Sequence, residues 1–259
     1  MNIVLKLEHA VSDILAITQR NLIKYTRLPQ LIIFSTIQPI MFMLLFTYVF
    51  GGAIKTSTGS YIAYLLPGIL VQTVLFGSMQ TGVSLAEDLS RGIIDRFRSL
   101  PITQSAILAA RTLTDVVRNI FVIFLMTLVG FIVGFRIEHG VLHFLGGLLI
   151  VLCFGFAFSW ISACIGLSVK DVETAQVAGF IWVFPLVFAS SIFVPVDSMP
   201  SWLQVFAKHT PITATANAVR ALTLGQPAGD FALQALLWIF GLLAVFIPLA
   251  VISYNKRKG

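Results

Sequence analysis

The chain has 259 residues, of which 58% are hydrophobic and only 11% are charged, and its formal net charge is +6. Soluble domains carry roughly 25% charged residues, so this composition excludes a water-soluble globule and indicates a membrane protein. The net positive charge does not indicate nucleic-acid binding, because the basic residues are spread along loop ends, where membrane topology requires them.

Residues 1–29 precede the first long apolar run and are predicted to form an amphipathic helix. Val11 and Leu15 fall on one helical stripe, whereas Arg20 and Lys24 fall on another. A helix of this kind lies in the lipid headgroup layer with its cations towards anionic lipid. The alternative is an ordinary solvated helix at the N-terminus.

Six segments meet or approach the roughly 20 apolar residues that cross a bilayer. They are residues 30–50, 61–83, 113–135, 141–168, 176–195 and 231–253. No linker is long enough to separate a second folded domain. We therefore predict one all-α integral membrane domain over residues 1–259, with six transmembrane helices.

The basic residues also predict the orientation of these spans. With both termini inside, 13 of the 17 Lys and Arg fall in inner segments and 4 in outer segments. Cytoplasmic loops are enriched in Lys and Arg. Both termini and the loop between the second and third spans are therefore predicted to be cytoplasmic.

That loop, residues 87–103, is predicted to hold an amphipathic connecting helix that ends at Pro101. Residues 87–118 hold 9 of the 28 charged residues of the chain. One helical face can rest on the membrane domain while the charged face meets a soluble protein, although a merely solvated face is an equal alternative. The predicted interface residues, including two from the other inner loop, are Glu87, Arg91, Asp95, Arg98, Lys170 and Asp171.

Arg111, Asp115 and Arg118 lie on one side of the helix that becomes the third span. Ionisable groups at membrane depth are expensive and are normally paired or exposed to water. Asp115 can reach both arginines at helical spacing, so we predict a structural charge cluster. A proton relay is a weaker alternative, since no second carboxylate lies within the other spans.

The longest outer connection, residues 195–230, joins the fifth and sixth spans. Its stretch from Ile212 to Leu224 is mildly apolar but too short to span a bilayer. We predict an interfacial or re-entrant helix there.

Sparse polar residues among many aromatics predict a largely apolar route through the membrane domain. The candidate path residues are Gln38, Gln72, Thr73, Phe184 and Ser190. Such a path suits an amphipathic molecule, whereas a charged sugar chain needs more hydrogen-bond donors. The alternative, which is favoured by about two to one, is that these amides and hydroxyls only form hydrogen bonds with neighbouring helices.

Sites for other chemistry are not indicated by the sequence. His139 and His143 have the spacing of metal ligands on a helix, but no third His or Cys lies nearby. No nucleotide-binding loop or clustered nucleophile and base is present. We predict no catalytic residue, no metal and no cofactor on this chain.

Three segments resemble the ABC type-2 exporter permeases, in the branch typified by the daunorubicin-resistance membrane subunit. The first is Glu87-Asp-Leu-Ser-Arg-Gly-Ile-Ile-Asp-Arg-Phe-Arg-Ser-Leu-Pro101, and the second is Ala109-Ala-Arg-Thr-Leu-Thr-Asp115. The third, in the outer connection, is Phe193-Val-Pro-Val-Asp-Ser-Met-Pro-Ser-Trp-Leu203 together with Asn217-Ala-Val-Arg-Ala-Leu222. The resemblance covers nearly the whole chain. It implies a connecting helix, six spans and an outer helical turn between spans five and six.

The resemblance also implies how such a chain works. Two permease chains, identical or different, would pair in a bacterial or archaeal cytoplasmic membrane and bind two copies of a separate ATPase subunit, which carries ATP and Mg²⁺. The expected function is export of a hydrophobic or amphipathic drug or lipid-like molecule by alternating access. The alternatives are export of a glycan or lipid-linked glycan, or a secondary transporter or channel.

Overall fold

The computed structural model describes residues 3–27, 29–54, 56, 60–93 and 104–256, and these segments are almost entirely helical. The helices are α1 (Ile3–Arg27), α2 (Pro29–Leu45), α3 (Tyr61–Ser90), α4 (Gln104–Val133), α5 (Val141–Ser168), α6 (Val172–Phe188), α7 (Ser201–Lys208), α8 (Pro211–Leu224) and α9 (Gly229–Lys256). A π-helix, Phe46–Phe50, continues α2, and a 3-10 turn, Val196–Ser198, precedes α7. No strand occurs in the described segments.

Four helices are long and apolar enough to cross a membrane, namely α3, α4, α5 and α9. The other two predicted spans correspond to shorter helices, α2 with its π-helical end and α6. The fifth span was predicted to reach residue 195, and this boundary is wrong because α6 ends at Phe188. Ser190 donates a hydrogen bond to the carbonyl of Val187 (2.6 Å), and the chain then turns towards α8.

Helix α3 is the centre of the domain. In its most apolar stretch 89% of the residues are buried, against 17% in α9. It packs most closely against α5, because Gly82 and Gly166 let the two backbones approach where any Cβ would overlap the other helix. The outer faces of α4 and α9 are left for lipid or for a partner.

The outer connection contains the predicted short helix. Thr210 caps α8, Pro211 occupies its first turn, and Gly225, with a φ of +72°, ends it in the left-handed region that glycine favours. The helix packs against α3, α5 and α9 rather than on the surface. Its depth in a bilayer stays a prediction.

The N-terminal helix α1 packs along the start of α4. Ile17 is buried, and the hydroxyl of Thr18 donates to the carbonyl of Ala110 (3.3 Å), whereas Val11 and Leu15 are exposed. One face is thus held by the domain, and an apolar face remains free. This arrangement is compatible with the predicted position in the headgroup layer.

The connecting segment starts differently from the prediction. Glu87 belongs to the last turn of α3, and the chain turns at Arg91 and Gly92, where Gly92 has a φ of +64°. The predicted continuous helix over 87–100 is therefore wrong at its beginning, because the glycine allows a break that the charge pattern does not reveal. Asp95 and Arg98 lie outside the described residues.

Candidate functional site

A cavity of about 490 Å³ lies between α1, α2, α3, α4 and α6. Its apolar wall consists of Phe76, Met79, Val83, Val122 and Phe180 together with Gly77. Its polar lining consists of Asn21, Gln38, Thr73, Gln80, Ser84, Glu87, Arg111, Arg118, Asn119 and Gln176. A cavity with both kinds of wall can hold a molecule that is partly polar and partly apolar.

One side of the cavity is built around a buried carboxylate. Asp115 is 1% exposed and lies 3.6 Å from Nη1 of Arg118, and the hydroxyl of Thr81 donates to its second oxygen. Arg118 also donates to Oδ1 of Asn119 (3.3 Å). A Cβ built on Gly77 would lie 2.5 Å from Nη2 of Arg118, so this glycine makes room for the guanidinium beside α3.

Arg111 does not complete the predicted cluster. Within the described residues no ion pair joins it to Asp115, and its buried Nε has no hydrogen-bond partner. Asp115 is instead satisfied by Arg118 and Thr81. The structure therefore pairs Asp115 with Arg118, while Arg111 lines the cavity.

An aromatic groove leads from the cavity along α6 towards the outer connection. Phe180, Phe184 and Phe188 recur every fourth residue, with centroids 6.2 Å and 5.0 Å apart. Phe76 joins the groove to the cavity, and Phe193 continues it at 5.3 Å from Phe188. We use the name aromatic groove for Phe42, Phe46, Phe50, Phe76, Phe180, Phe184, Phe188 and Phe193.

The groove is partly open in the single chain. Phe180, Phe184 and Phe188 are 40%, 44% and 43% exposed, whereas Phe193 is buried. The rings lie at stacked, tilted or edge-on angles, the arrangements that aromatic pairs favour. The described part of this surface is therefore a continuous apolar track with one end at the polar cavity.

The predicted path residues separate into three groups. Gln38 and Thr73 line the cavity, and Phe184 lies in the aromatic groove. Gln72 is 1% exposed and is not among the lining residues. Ser190 is buried in the turn after α6, so its role there is structural.

The predicted interface with a soluble protein is described only in part. Glu87 and Arg91 form the expected ion pair at 2.8 Å. Asp171 caps α6, where its carboxyl accepts hydrogen bonds from the backbone N–H and the hydroxyl of Thr174. These two hydrogen bonds, the backbone one more strongly, hold the pKa of the Asp171 carboxyl below its usual value. Lys170 and Asp171 are both exposed and available for contact.

Sequence reasoning missed the role of Arg220, which lies within the predicted short helix of the outer connection. Arg220 is buried on α8, where Nε donates to the carbonyl of Tyr64 (2.8 Å) and Nη1 to the hydroxyl of Ser191 (2.9 Å). Nη2 donates to the carbonyls of Ser191 and Ile192 (3.2 Å to Ile192), and the guanidinium lies 3.8 Å above the Tyr64 ring. The sequence signal that could have revealed this burial is a single arginine within an otherwise mildly apolar helical segment.

An all-helical domain with apolar helices long enough to span a bilayer and a polar cavity between them is an integral membrane protein of the permease class. The family described as "ABC-2 type transporter" matches residues 12–224. Because this match covers most of the chain, the chain belongs to the ABC-2 type transporter family.

Three relatives show the range of similar chains. The daunorubicin resistance ABC transporter permease protein DrrB1 of Streptomyces coeruleorubidus is 37% identical over 96% of this chain and 88% of its own length. The probable doxorubicin resistance ABC transporter permease protein DrrC of Mycobacterium tuberculosis is 25% identical over 96% and 90%. The putative transport permease ycf38 of Cyanophora paradoxa is 28% identical over 82% and 74%.

Proposed function

We propose that this chain is the membrane subunit of an ATP-driven exporter that moves a hydrophobic or amphipathic, drug-like or lipid-like molecule out of the cell. The observation that carries this proposal is the aromatic groove, which continues from a cavity with polar and apolar walls. The names of the daunorubicin and doxorubicin resistance relatives support the same substrate class.

The groove favours this substrate over a glycan. Its eight phenyl rings offer no hydrogen-bond donor, while a sugar chain would have to replace its hydration along the whole track. Export of a lipid-linked glycan, with the lipid in the groove, is the second candidate. A secondary transporter is disfavoured, because coupling ions generally require intramembrane carboxylates and Asp115 is already neutralised.

The energy would come from a separate ATPase subunit that binds ATP and Mg²⁺. Its docking surface would be the segment 87–103 together with Lys170 and Asp171. This segment follows directly on α3, the central helix of the domain. Closure of two ATPase subunits could therefore be transmitted through α3 to the cavity wall and change its access from inside to outside.

A second permease chain, identical or homologous, would cover the aromatic groove. Four of its phenylalanines are about two-fifths exposed in the single chain. A route placed between two copies would be enclosed on both sides, and two-fold pairing is the commonest solution for oligomers. The transported molecule would then move along the interface between the chains.

The membrane topology would use six spans in a bacterial or archaeal cytoplasmic membrane, with both termini inside. Helix α2 and its π-helical end together cover residues 29–50, about 33 Å of helix. Helix α6 has 17 residues, the lower limit of about 17 for a span. In this topology α7 and α8 lie on the outer side.

The test is ATP-dependent transport by the reconstituted permease with its ATPase subunit. Accumulation of an amphipathic probe in inside-out vesicles, either daunorubicin or oleoyl lysophosphatidic acid, should require ATP and both subunits, and a neutral hydrophilic sugar should not accumulate. A catalytically inactive ATPase subunit is the control. Accumulation without any ATPase subunit, driven by an ion gradient, would contradict the proposal.

A further inference from the structure

Arg111 gives the cavity a positive charge without a counter-ion. Its side chain is only 8% exposed, and Nε has no hydrogen-bond partner. Within the described residues no carboxylate forms an ion pair with its guanidinium. A buried cation left unpaired is unfavourable, so this position is suited to an anion brought by a ligand.

The remaining charges at the cavity are already balanced. Arg118 is paired with Asp115 at 3.6 Å. Among the described lining residues the only carboxylate is that of Glu87, and it is paired with Arg91 at 2.8 Å. The surplus charge of the cavity, counted over these described side chains, is therefore the guanidinium of Arg111.

The same cavity also has an apolar wall. Phe76 and Phe180 line the same cavity and lie 6.2 Å apart by ring centroid. The amides of Gln80 and Gln176 add hydrogen-bond donors at the polar side. A ligand that satisfies all these groups carries a compact anion at one end and an apolar body at the other.

We propose that the cavity binds the anionic head group, a phosphate or carboxylate, of an amphipathic molecule, with Arg111 as its counter-ion and Phe76 and Phe180 against its apolar part. A guanidinium binds such oxyanions through two parallel hydrogen bonds. This inference rests on the proposed export function and specifies which amphipathic molecules the cavity selects. It also makes Arg111 a specificity-determining residue.

The first experiment uses the unmodified permease–ATPase complex in phosphatidylcholine nanodiscs. Equilibrium binding of radiolabelled oleoyl lysophosphatidic acid is compared with mono-oleoylglycerol, which has the same acyl chain but no phosphate, and with inorganic phosphate. We expect the anionic lipid to bind at least about tenfold more tightly than the neutral one, since hydrogen bonds to charged groups are the strong ones. It should also raise the melting temperature of the complex more.

The second experiment compares variants. Arg111→Gln should lower the preference for the anionic over the neutral lipid about tenfold, and Arg111→Lys should retain part of that preference because the charge remains but the planar fork is lost. Arg136→Gln is the matched control, because Arg136 is an exposed arginine just beyond the opposite end of the same helix. It should leave the preference unchanged.

Equal binding of both lipids by the unmodified complex would overturn the inference, whether or not the variants fold. An unchanged preference in Arg111→Gln would also overturn it. Competition by inorganic phosphate at the same concentration as the lipid would show a site for the free anion instead of an amphipathic molecule. If ATP-dependent daunorubicin transport persists through any of these outcomes, the proposed export function stands and only the head-group assignment fails.

Discussion

At the scale of single residues, the buried charges at two sites are satisfied by different means. Asp115 and Arg118 neutralise each other next to the cavity, whereas Arg220 has no carboxylate partner among the described residues and is held by three backbone carbonyls, Tyr64, Ser191 and Ile192. Gly68 permits this arrangement, because a Cβ there would lie 2.7 Å from the carbonyl oxygen of Ile192. Arg220 thus ties the outer helix α8 to α3 and to the turn after α6.

Replacing Arg220 by Met should destabilise the protein by about 3 kcal/mol or more, because buried carbonyl acceptors then lose their donors. The expected observation is a lower melting temperature in detergent and a lower folded yield. Arg136→Met is the control, since Arg136 also donates to two carbonyls but is exposed, and it should change stability by about 0.5 kcal/mol or less. An Arg220→Met protein as stable as this control would contradict the structural role.

Removing the carboxylate of Asp115 should be strongly destabilising, because Asp115→Ala leaves Arg118 buried without a counter-ion. The expected cost is about 3–5 kcal/mol, measured as loss of folded protein by size-exclusion chromatography. The double variant Asp115→Ala with Arg118→Met should recover folded yield, since both members of the buried ion pair are then removed. A folded, assembled but inactive Asp115→Ala protein would instead indicate a role in coupling.

The positions of Gln38 and Gln72 can be distinguished by thiol labelling. In a background without Cys153 and Cys164, Gln38→Cys should react with a water-soluble maleimide because Gln38 lines the cavity. Gln72→Cys should stay unreactive, since Gln72 is buried outside the cavity lining. Mass spectrometry after labelling gives the reacted fraction of each cysteine. Equal reactivity of the two cysteines would contradict the placement of Gln38 in the cavity lining and of Gln72 outside it.

At the scale of elements, α3 connects the cavity to the predicted docking segment. It ends at Ser90, and its last turn carries Glu87, which pairs with Arg91 and also lines the cavity. Motion of the segment after Gly92 would therefore reach the cavity within one helical turn. This connection is the physical basis for coupling in the proposed mechanism.

Charge reversal on the docking segment should weaken assembly with the ATPase subunit and leave the membrane domain inserted. Arg91→Glu with Arg98→Glu is the test, and co-purification of the ATPase subunit from membranes is the measurement, with a severalfold loss expected. The control is Lys256→Glu in the last turn of α9, which is also predicted to be cytoplasmic. Undiminished recovery of the ATPase with the double variant would count against this docking surface.

At the scale of the whole molecule, apolar surface is exposed on the outer faces of α4 and α9 and also at the aromatic groove. The core around α3 is closed, while the aromatic groove remains partly exposed. We expect a cavity that continues into a partly exposed aromatic groove where a second chain covers the groove and so encloses the transport route. Lipid contact alone would explain exposed phenylalanines, but not their connection to a polar cavity.

A second copy should therefore form a crosslink across the groove. With Cys153 and Cys164 removed, Phe184→Cys should give a copper-phenanthroline disulfide dimer on non-reducing gels if identical chains pair, because Phe184 is exposed at the middle of the groove. Leu142→Cys, exposed on α5, is the control and should remain monomeric. Efficient crosslinking of the Leu142→Cys control alone would contradict an interface at the aromatic groove. If two different permease chains pair, the second cysteine has to be introduced in the partner permease.

The sequence by itself determined the class of protein, the helical architecture and the short outer helix, because helix length, apolar content and capping residues act locally. It also indicated the Glu87–Arg91 and Asp115–Arg118 pairs, which follow from helical spacing alone. Tertiary structure decided the rest: that Arg111 lies unpaired in a cavity, that Arg220 is buried, and that Ser190 serves a turn. These outcomes depend on which helices pack together, and glycines such as Gly77 and Gly68 permit close approaches that helical periodicity does not encode.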